Sequence, residues 1–162
     1  MLPWSLMTVW RFQEVSNVLY TQNTFEFDHP KTLTLFQMRV HPPSFNSIKS
    51  ISINMQRNLY HRVMTFRAIT SMHHDRWHEM WNIIARMESL EQIRVAFRFP
   101  LDGSLGWSDK KILGPLWKVT RPMRVFEVVC QAEIAYRVGE YSAAPFKLVG
   151  NHAWAWNVSR DG

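Results

Sequence analysis

The sequence predicts an α/β fold: a mainly parallel sheet built from successive strand and helix units, preceded by an N-terminal helix. One spacing, with apolar residues at positions 1, 4 and 6 of a short segment, occurs three times. Its copies are Ile48, Ile51 and Ile53; Leu90, Ile93 and Val95; and Met123, Phe126 and Val128. Segments with helical periodicity stand between the copies. Strands that alternate with helices favour right-handed crossovers and parallel pairing.

The first forty residues predict a helix, a short strand and a second helix. Residues 4–20 place apolar side chains at helical spacing, which indicates an amphipathic helix. The apolar start of the chain has no basic region and no cleavage motif, so it is not interpreted as a signal peptide. Phe25 and Phe27 alternate with polar residues, as in a strand. Asp28 then provides a helix N-cap and Pro30 a first turn, and this helix is expected to end before the HPP triplet.

The middle of the chain predicts a strand, an undecided connection, a long helix and another strand. The segment SIKSISINM is the first of these strands. Residues 54–74 fit a strand, a loop or a weak helix. Residues 75–88 predict the strongest helix, because Asp75 is a good N-cap and apolar residues follow at helical spacing. The segment SLEQIRVAFRF then predicts a strand that ends before Pro100.

The last third of the chain predicts a loop, a kinked helix, a strand and a tail. The segment LDGSLGWS is expected to be a glycine-rich loop. The segment SDKKILGPLWKV predicts a helix that opens with Ser108 as its cap and breaks at Gly114 and Pro115. The segment MRVFEVVCQAEIAY predicts the next strand. We therefore expect a single α/β domain over residues 1–150 and an aromatic C-terminal tail over 151–162.

The four predicted strands carry one equivalent apolar position each. These residues are Phe25, Ile51, Ile93 and Phe126. In each unit, the first apolar residue of the spacing is expected to close the preceding helix against the core, and the next two to point inward from the strand. One unit cannot bury its own apolar face, so successive units are expected to stack. The units are therefore interpreted as leucine-rich-repeat-like, with an irregular period.

Composition limits the class of protein. A chain of 162 residues, 46% of them apolar, is long enough to bury one continuous core. The single cysteine, Cys130, excludes an internal disulfide and is expected in the core. No apolar run approaches the roughly 18 residues that a membrane helix needs, so no membrane partner is expected. These features predict an intracellular protein, in the cytoplasm or the nucleus.

The most suggestive group of possible metal ligands lies in the segment HHDRWHE. His74 and His78 stand four residues apart, a spacing that can hold a metal ion on one helix face, with Asp75 or Glu79 nearby. His73 can join them only from the start of the helix. Because the order H-E-x-x-H and a second ligand set are absent, we interpret these residues as the polar face of a helix. No metal or other cofactor is predicted, and His74 and His78 are kept as weak candidates.

No catalytic constellation is recognisable, so the chain is not predicted to be an enzyme. Asp102 and Asp109 flank the segment GSLGWS, which lacks the residue pattern of a nucleophile elbow or a phosphate-binding loop.

Lysine plus arginine exceed aspartate plus glutamate by 19 to 13, a net charge of +6 that can attract nucleic acid. However, Arg94 and Arg98 alternate with apolar residues as half-buried strands do without any ligand.

The segment NVLYTQNTFEFDHPKTLTLF, followed by PPSFNSIKSISI, resembles a family of uncharacterised fungal proteins of unknown function. Its members share a segment like LYSTNTFxFxxPxTLxxF, then IxxLxL, a tryptophan-rich helix and LxxLxI, often after an F-box-like helical start. The matching residues are Leu19, Tyr20, Asn23, Thr24, Phe25, Phe27, Pro30, Leu33, Phe36, Ile48, Ile51, Ile53, Trp77, Trp81, Leu90, Ile93 and Val95. The resemblance covers roughly residues 10–130 and implies a fold and an interaction role. The F-box opening is missing, so the chain is expected to be shortened at its N-terminus.

The predicted function is a non-catalytic domain that binds another protein, as a substrate- or partner-binding module of an F-box-like adaptor. It follows from the stacked architecture and from the lack of a catalytic constellation. The weak candidates for partner contacts are Trp107, Trp154, Trp156, Arg94 and Arg98. A nucleic-acid-binding module that uses scattered arginine and aromatic residues is the alternative. A metal-dependent hydrolase built on the two histidines is a third hypothesis.

Overall fold

A computed structural model describes residues 14–55, 66–97, 109–131 and 141–151. These residues form an α/β fold, as predicted, with five strands in one sheet. The strands are β1 (Thr24–Phe27), β2 (Ser50–Met55), β3 (Gln92–Phe97), β4 (Val125–Gln131) and β5 (Lys147–Asn151). The helices are α1 (14–22), α2 (Pro30–Arg39), α3 (Pro42–Asn46), α4 (Phe66–Arg86) and α5 (Asp109–Leu113), and a 3₁₀ helix continues α5 over Gly114–Lys118.

The strands lie in the sheet in their order along the chain, and every neighbouring pair is parallel. The register places Phe25 opposite Ile51, Ile51 opposite Ile93, and Ile93 opposite Phe126. These are the four residues that the recurring spacing made equivalent, so the predicted alignment of the strands is confirmed. The likeness of the units to leucine-rich repeats stays a prediction.

Helices cover one face of this sheet. Helix α2 contacts α4, and α4 contacts the 3₁₀ helix, so the three form one layer. Helix α4 packs on the sheet through Trp77 against Phe97 and Trp81 against Phe126, with ring centroids 5.7 and 5.9 Å apart. When parallel strands follow one another in chain order, crossovers of one hand all fall on the same face. The topology therefore explains why the helical layer is one-sided.

The covered face of the sheet forms the hydrophobic core. Its strand residues, each at most 5% exposed, are Phe27, Ile51, Ile53, Met55, Ile93, Val95, Phe97, Phe126, Val128 and Cys130. Ile48 and Leu90, which precede two of the strands, are buried as well, and Met123 packs partly buried against the same core. The predicted inward orientation of the last two positions of the spacing is therefore confirmed, as is the burial of the cysteine.

The turns before β3 and β4 repeat one pattern of backbone hydrogen bonds. The amides of Glu91 and Gln92 donate to the carbonyl of Lys49, at 2.8 and 2.9 Å. One unit later, the amides of Arg124 and Val125 donate to the carbonyl of Glu91, at 2.9 and 3.2 Å. The ladder of the sheet thus continues into the stacked turns. This continuity fixes the distance between each turn and its strand, and so preserves the apolar spacing.

Helix α4 is longer than predicted. It begins at Phe66, so Asp75 lies inside the helix and the prediction that Asp75 is its N-cap is wrong. The segment 54–74, for which the sequence left three possibilities open, contains the first turns of this helix. Most helical stability comes from the packing of an apolar face rather than from propensity or caps. The packing of Trp77, Trp81 and Ile84 in the core gives α4 that support.

The cap of helix α2 also differs from the prediction. Pro30 occupies the first turn as expected, but the N-cap is His29 and not Asp28. The Nδ1 atom of His29 accepts a hydrogen bond from the amide of Lys31 at 3.0 Å. An imidazole nitrogen at the cap position therefore takes the role that was predicted for the carboxylate one residue earlier.

Two elements were not predicted at all. The HPP triplet that ends α2 also starts α3, because Pro42 and Pro43 occupy its first turn, where proline is tolerated. Strand β5 lies in a segment that glycine and proline interrupt, and it owes its structure to parallel pairing with β4. The predicted break at Gly114 is confirmed, because α5 changes there into the 3₁₀ helix.

Helix α1 is confirmed where it is described, but its apolar residues are not in the core. Val15, Val18 and Leu19 are 67%, 51% and 48% exposed. The connection to the rest of the molecule runs instead through Tyr20, whose ring stacks on Phe25 with centroids 5.6 Å apart. The amphipathic stripe of this helix therefore faces away from the core described here.

Candidate interaction surface

The second face of the sheet, here called the open face, carries the strand residues that alternate with those of the core. They are Thr24, Ser50, Gln92 and Val125; Glu26, Ser52, Arg94, Glu127 and Lys147; and Asn54, Ala96, Val129 and Val149. Successive side chains of a strand point to opposite faces, so these thirteen residues share one surface. Every one of them is half-buried or exposed. The open face is thus accessible along all five strands.

A row of polar and charged side chains crosses the middle of the open face. This charged row consists of Glu26, Ser52, Arg94, Glu127 and Lys147, one residue from each strand in register. Its two inner charges form an ion pair, with Arg94 Nε 3.3 Å from Glu127 Oε2. The outer charges, one acidic and one basic, stand on the two edge strands. The row is therefore neutral as a whole but has a different sign at each end.

An apolar strip lies beside the charged row. It consists of Ala96, Val129 and Val149, which are neighbours in the register of β3, β4 and β5. All three are half-buried. Each follows its neighbour in the charged row by two residues, which places the strip one step nearer the carboxyl ends of the strands. The open face thus offers apolar contact area on the β5 side of the sheet.

The β1 and β2 side of the open face is polar instead. The hydroxyl groups of Thr24 and Ser50 share a hydrogen bond of 2.9 Å. Asn54 Nδ2 donates to Glu26 Oε1 at 3.2 Å, while Asn54 Oδ1 is buried and has no hydrogen-bond partner within the described part of the chain. A buried acceptor without a partner lowers stability by about 1 to 3 kcal/mol.

The structure places some of the predicted partner-binding residues and leaves others undescribed. Arg94 lies on the open face, as its alternation with apolar residues predicted. Arg98, Trp107, Trp154 and Trp156 lie outside the described residues.

Sequence reasoning missed part of the surface on β5. Lys147 and Val149 were not predicted because that strand was not recognised. The signal available for them was the alternation with Phe146 and Leu148, which pack in or against the core.

His74 and His78 lie side by side on helix α4, with ring centroids 4.4 Å apart. Burial lowers the pKa of His78, and the charges of His74 and Lys118 lower it further against the opposing carboxylate of Asp75. Among the described residues, no group of three histidine, cysteine, aspartate or glutamate side chains is placed to hold a metal ion. The pair supplies two neighbouring imidazoles, and its role as a metal site stays a prediction.

Two cations beside helix α4, Lys118 and Arg121, have hydrogen-bond partners within the protein. Lys118 Nζ donates to Asn82 Oδ1 at 2.7 Å. The guanidinium of Arg121 donates to the carbonyls of Ile84 and Ala85 at 3.2 and 3.4 Å, near the C-terminal end of α4. Burial lowers the pKa of Arg121 below its usual value. A cation at a helix C-terminus satisfies carbonyls that have no intrahelical partner, so Arg121 serves the fold.

The fold and this surface define a parallel α/β domain with one covered and one open sheet face. The chain belongs to the family described as Domain of unknown function (DUF7730), whose model matches residues 4–144. This confirms the predicted membership in a family of unknown function. Comparison with curated proteins and with solved structures gave no match. No helix within the described ranges is both long enough and apolar enough to cross a membrane.

Proposed function

We propose that this chain is a non-catalytic protein-protein interaction domain that binds a partner polypeptide on the open face of its sheet. The observation that carries the proposal is the juxtaposition of a half-buried apolar strip and a charged row on an accessible sheet. Protein interfaces combine apolar area with polar groups that fix orientation. A rigid sheet backed by a buried core holds both kinds of group in place without reorganisation on binding.

The charges of the open face support a protein partner over nucleic acid. Phosphate binding needs several cations that act together. On the open face, Arg94 and Lys147 are balanced by Glu26 and Glu127, and Arg94 is already paired. A surface of balanced charge beside an apolar strip suits a polypeptide, which carries side chains of both signs.

A nucleic-acid-binding module that uses scattered arginine and aromatic residues is the alternative, and the net charge of +6 favours it. Its test is fluorescence anisotropy with a random-sequence oligonucleotide at several salt concentrations. Affinity that is measurable at low salt and falls steeply as salt rises would support this alternative. The absence of binding at low salt would remove it.

The resemblance to F-box-associated fungal proteins adds a context to this proposal. In that context the domain is the partner-binding module of an F-box-like adaptor in the cytoplasm or the nucleus. The family match covers most of the chain but carries no activity with it, so the interaction role rests on the open face.

The proposal is tested by affinity purification of the tagged chain from its native cell, with mass spectrometry of the proteins that co-elute. Val129→Arg places a charge in the centre of the apolar strip, and Gln37→Arg adds the same charge on the exposed side of α2. Arginine can extend its charged end to water, so both variants are expected to fold, which circular dichroism checks. We expect Val129→Arg to lose the specific partner and Gln37→Arg to keep it. Equal recovery with both variants would overturn the proposal.

A further inference from the structure

The two ends of the charged row carry opposite charges, and neither end residue forms an ion pair with another described residue. Glu26 accepts one hydrogen bond from Asn54, and an amide donor leaves the negative charge of a carboxylate in place. At the other end, Lys147 stands opposite Glu127 in the register, but Glu127 is paired with Arg94. Both end residues are exposed. The surface therefore has an acidic end at β1 and a basic end at β5.

The apolar strip gives the surface a second asymmetry in the same direction. Ala96, Val129 and Val149 extend from the centre of the sheet to β5, the strand that carries Lys147. On the opposite side, Ser50, Ser52 and Asn54 of β2 offer polar groups. A ligand that crosses the strands thus meets polar and acidic groups first, and apolar and basic groups last.

The width of the charged row corresponds to a short stretch of extended polypeptide. Neighbouring strands are about 4.8 Å apart, so four intervals between β1 and β5 span about 19 Å. An extended chain advances about 3.3 Å per residue and would cover this distance in about six residues. Residues an even number apart lie on the same side of an extended chain. The first and seventh side chains of such a segment can therefore both reach the sheet.

We propose that the partner segment lies extended across the strands, with a basic side chain at Glu26, an acidic side chain about six residues away at Lys147, and apolar side chains near its acidic end. This inference rests on the proposed function and adds the chemistry of the partner. Opposite charges at the two ends fix the direction of the segment, because the reversed segment would place like charges together at both ends.

The experiment is a selection of peptides from a random linear dodecapeptide library displayed on phage, against the wild-type chain and against the double variant Glu26→Lys, Lys147→Glu. The wild type is expected to enrich peptides with one basic and one acidic residue about six positions apart and apolar residues beside the acidic one. The double variant is expected to enrich the same spacing with the two charges exchanged. The double variant has the same net charge and the same amino-acid composition as the wild type, so only the positions of the two charges differ.

Binding of the enriched peptides to single variants sharpens the result. Lys147→Glu is expected to weaken a wild-type peptide about three- to thirtyfold at low salt, from the loss of one exposed pair and the gain of one repulsion. The loss should shrink as salt screens the charges. Thermal melting checks that the variants are folded, and Glu26→Gln and Lys147→Gln replace the reversed variants if those are not.

The outcomes separate this inference from the proposed function. One outcome is that the enriched peptides bind the wild type and not Val129→Arg, but have no fixed order of basic and acidic residues. This outcome would overturn the proposed direction of the bound segment and would still support the interaction role. Peptides that still bind Val129→Arg, or a library that enriches nothing, would overturn both. Exchange of the charge order between the two selections is the result that supports the inference.

Discussion

The two faces of the sheet are formed by the same strands but differ in the burial and polarity of their side chains. Along β3, Ile93, Val95 and Phe97 are buried while Arg94 between them is exposed. On the covered face, every described strand residue from β2 to β4 is apolar and packed beneath helices. On the open face, the side chains of β1 and β2 are polar, whereas β3, β4 and β5 carry the apolar strip beside the charged row. On this face Ala96, Val129 and Val149 are neighbours and not scattered singly.

The fold constrains the residues of the covered face and leaves those of the open face free for function. Stacked units require apolar residues on one face only, because the helical layer lies on that face. The open face is therefore free to carry hydrogen bonds, ion pairs and a graded polarity without loss of the core. Variants that change one face and leave the other intact test this difference.

The largest expected effect is truncation in the covered face. Ile93→Ala is expected to lower the free energy of unfolding by about 2 to 5 kcal/mol, because Ile93 is buried at the centre of the sheet and the change leaves a cavity. Urea denaturation followed by circular dichroism measures it. Wild-type stability in this variant would show that the inward assignment of the strand is wrong.

The same truncation on both faces gives a matched test. Val95→Ala and Val129→Ala each remove two methyl groups from a central strand, one in the core and one on the open face. We expect Val95→Ala to lower the free energy of unfolding by about 1.5 to 3 kcal/mol. We expect Val129→Ala to lower it by less, because the side chain of Val129 buries less apolar area. Equal losses of unfolding free energy would mean that the open face is packed as a core, and the functional proposal would then fail.

The two buried tryptophans of α4 differ by one hydrogen bond. Trp77 Nε1 donates to the carbonyl of Ile112 at 2.9 Å, whereas Trp81 Nε1 is buried and has no partner among the described residues. Both lose the same ring volume in a change to Phe. Trp77→Phe is therefore expected to lower stability by about 1 to 3 kcal/mol more than Trp81→Phe. Equal thermal stability of the two variants would contradict this assignment.

The contributions of two arginines to stability can be compared in the same way, one beside helix α4 and one on the open face. Arg121 bonds two carbonyls at the end of α4, whereas Arg94 pairs with Glu127 on the open face, where its side chain is 65% exposed. Arg121→Met is expected to lower the unfolding free energy by about 1 to 2 kcal/mol and Arg94→Met by less than about 1 kcal/mol. The reverse order in denaturant titrations would show that the open-face pair serves stability.

The smallest expected effect depends on pH. Lys49 Nζ lies 3.0 Å from Glu91 Oε1, and the hydrogen bond from Lys49 and then its charge lower the pKa of Glu91. Because the folded-state pKa lies below the unfolded value of about 4.3, the stabilisation is present above that value and is lost as pH falls through the folded-state pKa. The difference in Tm between wild type and Glu91→Gln should thus exist at neutral pH and disappear in acid. A difference that persists unchanged in acid would contradict the assignment, and Glu88→Gln, at an exposed neighbouring position, is the control.

The sequence alone determined the α/β class, four of the strands and the register that aligns them. The period of two residues in a strand and the fixed distance from turn to strand appear directly in the spacing of Ile48, Ile51 and Ile53. Burial of the core residues follows from the same pattern. Arg94 could be placed on the outer face for this reason, but its partner Glu127 stands 33 residues later and could not be inferred from the spacing.

Tertiary structure decided the remaining features, because they depend on neighbours that are distant along the chain. Strand β5 exists through pairing with β4, and helix α4 begins at Phe66, nine residues before Asp75. The charged row and the apolar strip are likewise products of register, since the row takes one residue from each of the five strands and the strip takes one from each of β3, β4 and β5. A single segment records which of its residues point inward, but only the assembled sheet determines which outward residues become neighbours.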